Sequence, residues 1–136
     1  MSELPVWAVR PAPSLEDFAQ LGEAAFRDLP EPFRSLAGDV LIRVDDFPGE
    51  DVLAELGVED PFELTGLYSG VDLGRRSVLD PEPAVSRIFL YRRPILDEWA
   101  ERGDLTLAEL INHVLVHEIG HHFGLSDDDI DRVEAE

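Results

Sequence analysis

Residues 106–129 read TLAELINHVLVHEIGHHFGLSDDD, from Thr106 to Asp129. This stretch is written as a helix with both ends marked. Thr106 stands three residues before Glu109, the capping-box spacing, and Leu105 and Leu110 are placed as the hydrophobic staple. Helix is expected from about Leu107 to Phe123. Gly124 falls where a left-handed C-cap is wanted, with Leu125 available for the accompanying apolar contact. Leu107, Leu110, Ile111, Val114, Leu115, Val116 and Ile119 make the helix apolar on most of its circumference. A helix of that kind is buried in the middle of a domain, so the rest of the chain is expected to pack around it.

Elements outside this helix are shorter. Ser126 caps a final helix, with Asp127, Asp128 and Asp129 in its first turn, where the helix dipole favours acids. Upstream, Pro5, Pro11 and Pro13 predict an extended lead-in over residues 1–13. Ser14 with Asp17 predicts a capped helix carrying Leu15, Phe18, Ala19, Leu21, Ala25, Phe26 and Leu29, ended by Pro30 and Pro32. Asp39–Phe47 reads as a strand, Val52–Leu56 as one helical turn, and Leu64–Val71 as a second strand weakened by Gly66 and Gly70. Residues 72–86 read as a long loop. Ser86–Arg92 is the clearest strand, with Ile88, Leu90 and Arg92 on one face and Phe89 and Tyr91 on the other. Pro94 is expected to stop it, and Ile95–Glu101 to form a short helix closed by Gly103.

Length and composition bound the class. A chain of 136 residues fits one domain, residues 1–136, able to bury a core without staples. The absence of cysteine removes disulfides, thiolate chemistry and sulfur-ligated metal sites. No apolar run approaches the ~18 residues of a membrane span, so no membrane partner is expected. The N-terminus lacks the basic and apolar regions of a signal peptide, which points to the cytoplasm. Eleven basic residues, all arginine, stand against thirty acidic ones, for a net charge of −19. Such a field repels phosphate backbones and disfavours nucleic-acid binding, while keeping the chain soluble and favouring cationic partners.

Within the long helix stands His117-Glu118-Ile119-Gly120-His121, the pattern H-E-x-x-H. Residues four apart lie on one helix face, about 40° from each other in rotation. Two imidazoles so placed reach one ion at about 2.0–2.1 Å each. Glu118 is rotated about 100° from His117, so it flanks the ion where a general base for the attacking water must sit. With four His and fifteen Glu in the chain, the pattern arises by chance roughly one time in a hundred. Two histidines and a carboxylate in an apolar helix also need partners, since an unpaired buried polar group costs several kcal/mol. One metal ion supplies that partner: zinc by its donor preference, with other first-row divalent ions as the alternatives the same donors could hold.

A zinc ion that works on a substrate takes three protein ligands and keeps one position open. The turn at Gly124 brings the chain back, and Asp127 follows three residues later, giving H-E-x-x-H-x-x-G-x-x-D. Asp127 is the expected third ligand; Asp128, Asp131 or a carboxylate from elsewhere are the alternatives. His113 continues the i, i+4, i+8 row, but three ligands from one straight helix splay too far to close on one ion, and its spacing suits a hydrogen bond to Glu109. His122 points about 100° away from His121 and is placed as a supporting or surface residue.

The string His117–Asp127, together with Gly66-Leu67-Tyr68-Ser69-Gly70 and the strand ending in Arg92-Arg93-Pro94, resembles a family of small bacterial zincin-like metallopeptidases. Only the helix motif is specific. The glycine and the residue three beyond it are similar to the metzincin extension, with Asp127 where a third histidine would stand. The chain departs from metzincins in having no methionine turn, since its only methionine is Met1. The resemblance implies an α+β fold, a minimal zincin-like domain with a small mixed sheet packed on the buried active-site helix. It implies zinc held by His117, His121 and Asp127, and Glu118 as base in hydrolysis of a peptide or protein substrate. An extended substrate is expected to join a sheet edge, with Ser86–Arg92 as the strand. A non-catalytic metal-stabilised binding module and a zinc hydrolase of a non-peptide substrate are the other two readings.

Overall fold

Ser14 opens the first long element. Its hydroxyl accepts from the Asp17 N–H at 3.1 Å, and the Asp17 carboxylate accepts from the Ser14 N–H at 2.8 Å. These bonds start helix α1 (Leu15–Arg27) and hold the Asp17 carboxyl below the usual carboxylate range. Phe18, Gly22 and Phe26, spaced four apart, form the buried stripe of α1. Gly22 sits against the sheet: a Cβ there would meet Leu90 Cδ1 at 3.0 Å and Ile42 Cγ2 at 3.2 Å.

The computed structural model describes residues 3–70 and 85–135. After α1 come α2 (Phe33–Ala37), β1 (Val40–Asp45), α3 (Glu50–Leu56), β2 (Gly66–Ser69), β3 (Ser86–Tyr91), α4 (Arg92–Arg102), α5 (Leu107–His122) and α6 (Asp127–Ala135). The fold is thus α+β, with a small mixed sheet. Strand order is β1-β3-β2. β1 runs parallel to β3, from Val40 beside Ser86 to Asp45 beside Tyr91, and β2 runs antiparallel to β3, with Gly66 beside Leu90. Paired residues share a face. Ile42, Tyr68, Ile88 and Leu90 point inward toward α1 and α5; Asp45, Leu67, Phe89 and Tyr91 point outward. Ile88, Leu90, Ile95, Leu110, Ile111 and Leu115 are fully buried, so the core lies between the sheet and α5.

Leu115 has no exposed surface in that layer. Leu115→Ala should destabilise the chain by about 2–5 kcal/mol, through lost transfer energy and an uncollapsed cavity. Urea unfolding should show a lower midpoint at unchanged slope.

Several expectations need correction. The lead-in is not wholly extended: Val6–Val9 forms a single 3-10 turn, with the Ala8 N–H on the Pro5 carbonyl at 2.9 Å. Pro32 does more than end α1; it stands at the N-cap of α2, an entry where a missing N–H costs nothing. Helix α4 begins at Arg92, and Pro94 lies inside its first turn, where proline is tolerated. Arg92 therefore leaves the strand. Its Nε donates to the Pro13 carbonyl at 2.6 Å and its Nη1 to Asp46 at 3.1 Å. Ser86–Arg92 cannot offer an edge, because β3 is the central strand and is paired on both sides. The Thr106 cap is one-sided: its hydroxyl accepts from the Glu109 N–H, while the Glu109 carboxylate accepts from that same hydroxyl. The long loop over 72–86 lies almost entirely outside the described residues, as does Val71.

Candidate metal centre

Helix α5 carries His117, Glu118 and His121 to the end of β2. Gly66 makes the approach close. A Cβ at Gly66 would stand 2.8 Å from Val114 Cγ1, 3.2 Å from the Phe89 carbonyl oxygen and 3.4 Å from Glu118 Cγ. The two imidazole rings meet edge to face, with centroids 5.2 Å apart. Ligand atoms of His117, Glu118 and His121 all lie within 4.8 Å of one another.

The helix ends as its glycine requires. Gly124 has φ 86°, the Gly124 N–H reaches the His121 carbonyl at 2.9 Å, and the Leu125 N–H reaches the Gly120 carbonyl at 3.0 Å. That pair of bonds is a Schellman motif, and it turns the chain back toward the histidines. Leu125 then offers its carbonyl to His121 Nδ1 at 3.0 Å. A carbonyl only accepts, so Nδ1 carries the hydrogen and Nε2 presents its lone pair.

Asp127 receives that lone pair's neighbourhood. Its Oδ1 lies 2.9 Å from His121 Nε2 and 3.1 Å from His117 Nε2. The cap of α6 does not need it. Ser126 and Asp129 close a reciprocal box, with the Asp129 N–H on Ser126 Oγ at 3.2 Å and the Ser126 N–H on Asp129 Oδ2 at 3.1 Å. Of the three acids, Asp129 thus fills the helix-start role, and Asp127 turns the other way.

Gly120 lets α6 lie this close. A Cβ there would stand 2.6 Å from both Ile130 Cδ1 and Ile130 Cγ1. Inside an exposed helix, Gly→Ala gains up to about 1 kcal/mol, whereas overpacking a filled site costs about 1–3 kcal/mol. The clash should win. Gly120→Ala is expected to push α6 and Asp127 outward, lowering zinc affinity at least about tenfold, the scale of a lost supporting interaction. Adding Ile130→Ala should restore it in a competition titration against a chromophoric chelator.

Glu118 is buried, and its Oε2 has no hydrogen-bond partner. Burial is the largest cause holding its carboxyl above the usual range; His121 and His117 oppose the shift and Asp127 adds to it. The donor set fits a divalent ion. Two acceptors, His121 Nε2 and Asp127 Oδ1, face each other at 2.9 Å, which calls for a cation or a proton between them. Two imidazoles and a carboxylate are what zinc accepts, with a position left for substrate.

His122 is no surface residue. It is fully buried, with Nε2 2.7 Å from the Ala37 carbonyl and Nδ1 2.8 Å from the Tyr68 hydroxyl. Since Ala37 can only accept, Nε2 carries the hydrogen, and in the neutral ring Nδ1 accepts from Tyr68. Tyr68 Oη also lies 3.1 Å from Ser86 Oγ. The Tyr68 hydrogen is thereby directed at His122. This network, tying α2, β2 and α5 together, was missed from the sequence; the signal was a histidine adjacent to the motif that the motif did not use. His113 is exposed, one turn before His117 and outside the cluster.

A cavity of about 690 Å³ opens over these groups, bounded by Leu64–Tyr68 on one side and by His117, Glu118, His121 and Asp127 on the other. A helix-borne H-E-x-x-H group facing a small mixed sheet across a cleft is a zincin-type arrangement. The chain belongs to the zincin-like metallopeptidase family, whose model matches residues 37–136. No curated protein matches the chain. Among the described residues, no helix is long and apolar enough to cross a membrane.

Proposed function

We propose that this chain is a zinc-dependent peptidase in which His117, His121 and Asp127 hold the ion and Glu118 is the general base. The observation that carries the reading is Glu118: a buried carboxylate with an unpartnered oxygen, beside His117 and His121, on whose Nε2 atoms Asp127 converges, and opening on a cleft. A site that served only to staple the fold would be closed by four protein ligands and would gain nothing from this carboxylate.

Bound zinc supplies Lewis-acid polarisation of the scissile carbonyl and of the attacking water. Glu118 takes a proton from that water as its oxygen adds to the carbonyl carbon. It then hands the proton to the amide nitrogen as the C–N bond breaks, leaving a carboxylic acid and an amine. His121 is held in the correct tautomer by the Leu125 carbonyl, which orients the ring and raises its basicity as a ligand.

The substrate strand is assigned to β2 instead of β3. Leu64–Tyr68, which include most of β2, line the cleft together with Glu118, and among the described residues β2 pairs only with β3. An extended peptide would add there through main-chain hydrogen bonds.

The test is cleavage of a mixed peptide library by zinc-loaded protein, with a chelator and Glu118→Gln as controls. Cleavage lost in both controls supports the reading. Zinc binding without any cleavage would favour a metal-stabilised binding module. Hydrolysis of ester or amide compounds other than peptides would move the reading to another zinc hydrolase.

A further inference from the structure

The cleft does not end at β2. Leu56, Leu67, Tyr68 and Gly70 line it and also line a second cavity of about 480 Å³. That second cavity lies on the outer face of the sheet, opposite α5. Its floor is Phe89 and Tyr91, stacked with centroids 6.3 Å apart, with Leu67 alongside. Asp45 from β1 and Val52 and Glu55 from α3 complete the wall.

Two features set what this cavity accepts. The first is charge. Among the described residues, Asp45 and Glu55 are its ionisable carboxylates, and no arginine lines it. Arg87 shares the outer face of β3 but stands outside the cavity. The negative potential reaches the floor: the Tyr91 phenol is pushed up to about 12, first by burial and then by the charges of Asp45, Glu118 and Asp51. The second feature is shape. A stacked aromatic floor with aliphatic walls suits the methylene stem and the cationic head of a long side chain.

Strand geometry links this cavity to the cleft. Side chains along a strand alternate between the two faces of its sheet. A peptide lying on the edge of β2 would therefore send every second side chain inward to the metal side and the others outward, over Leu67 and into the second cavity.

We propose that the outer cavity walled by Asp45, Glu55, Leu67, Phe89 and Tyr91 is a specificity subsite for a cationic side chain, arginine or lysine, of the substrate peptide. The route by which the peptide arrives rests on the peptidase reading; the chemistry of the cavity does not.

The experiment separates the two. Zinc-loaded, ¹⁵N-labelled protein is titrated with N-acetyl-arginine methylamide and with the norleucine analogue, and the library cleavage is scored for residue preference. The arginine compound should bind at least about tenfold more tightly and shift the amides of Leu67, Phe89 and Tyr91. Asp45→Asn with Glu55→Gln should bring the two compounds to within about threefold. Both side chains are exposed, so the melting temperature of the double variant should stay near wild type. Equal binding of the two compounds, shifts confined to other residues, or an undiminished preference in the double variant would overturn the proposal. So would efficient cleavage with no preference for arginine or lysine at any position. Absence of all cleavage would count against the peptidase reading alone, and the titration would still decide the subsite.

Discussion

Glu118→Gln is expected to lower kcat for peptide cleavage by at least about 10³-fold while leaving zinc in place. General acid–base catalysis by a positioned side chain contributes typically 10²–10⁴-fold, and Glu118 serves both proton transfers. Glutamine keeps the shape but cannot accept the water's proton. The variant should also fold well. The wild-type carboxylate is desolvated, with Oε2 unpartnered, and burying a neutral amide is less costly than burying a charge. Its melting temperature should therefore equal or exceed that of wild type. Steady-state kinetics with zinc content measured on the same sample decides the matter. Retained turnover would remove Glu118 from the chemistry, and lost zinc would make it a ligand instead.

The second large effect is on the ion itself. His121→Ala and Asp127→Ala are each expected to weaken zinc binding by more than about 100-fold. Loss of a supporting residue outside the ligand set costs about 10–100-fold, so removal of a ligand should exceed that range. Asp127 is the more informative of the two. Its carboxylate is largely exposed and holds no cap, since Ser126 pairs with Asp129. Asp127→Ala should therefore leave thermal stability of the metal-free protein nearly unchanged while abolishing tight zinc binding. Asp128→Ala should affect neither. A chelator-competition titration reads all three variants.

Much of this was legible in the sequence because it is local. The box at Ser14, the cap at Ser126, the helix from Leu107 and the glycine turn at Gly124 are each set by residues within a few positions. The H-E-x-x-H spacing needs only helical geometry to bring His117 and His121 together, and the turn after His122 brings Asp127 in. What could not be read depended on distant partners. Strand alternation does not say which strand is central. Yet Ile88, Phe89, Leu90 and Tyr91 form a continuous apolar run, the pattern of a strand covered on both faces, and that run was the available clue. His122 finds Tyr68 and Ala37 at 54 and 85 residues' separation, beyond any local rule. Pro94 reads as a breaker or as a first-turn residue, and only the bend from β3 into α4 chooses between them. Gly120 reads as a weak spot in a helix until Ile130 is seen against it.

Zinc content by mass spectrometry, on purified and reconstituted wild type beside Glu118→Gln, His121→Ala and Asp127→Ala, tests the central claim most directly. The expected result is about one zinc per chain in wild type and in Glu118→Gln, and little in the two ligand variants. A wild-type chain that holds no zinc after reconstitution, or an Asp127→Ala chain that holds it as tightly as wild type, would contradict the account.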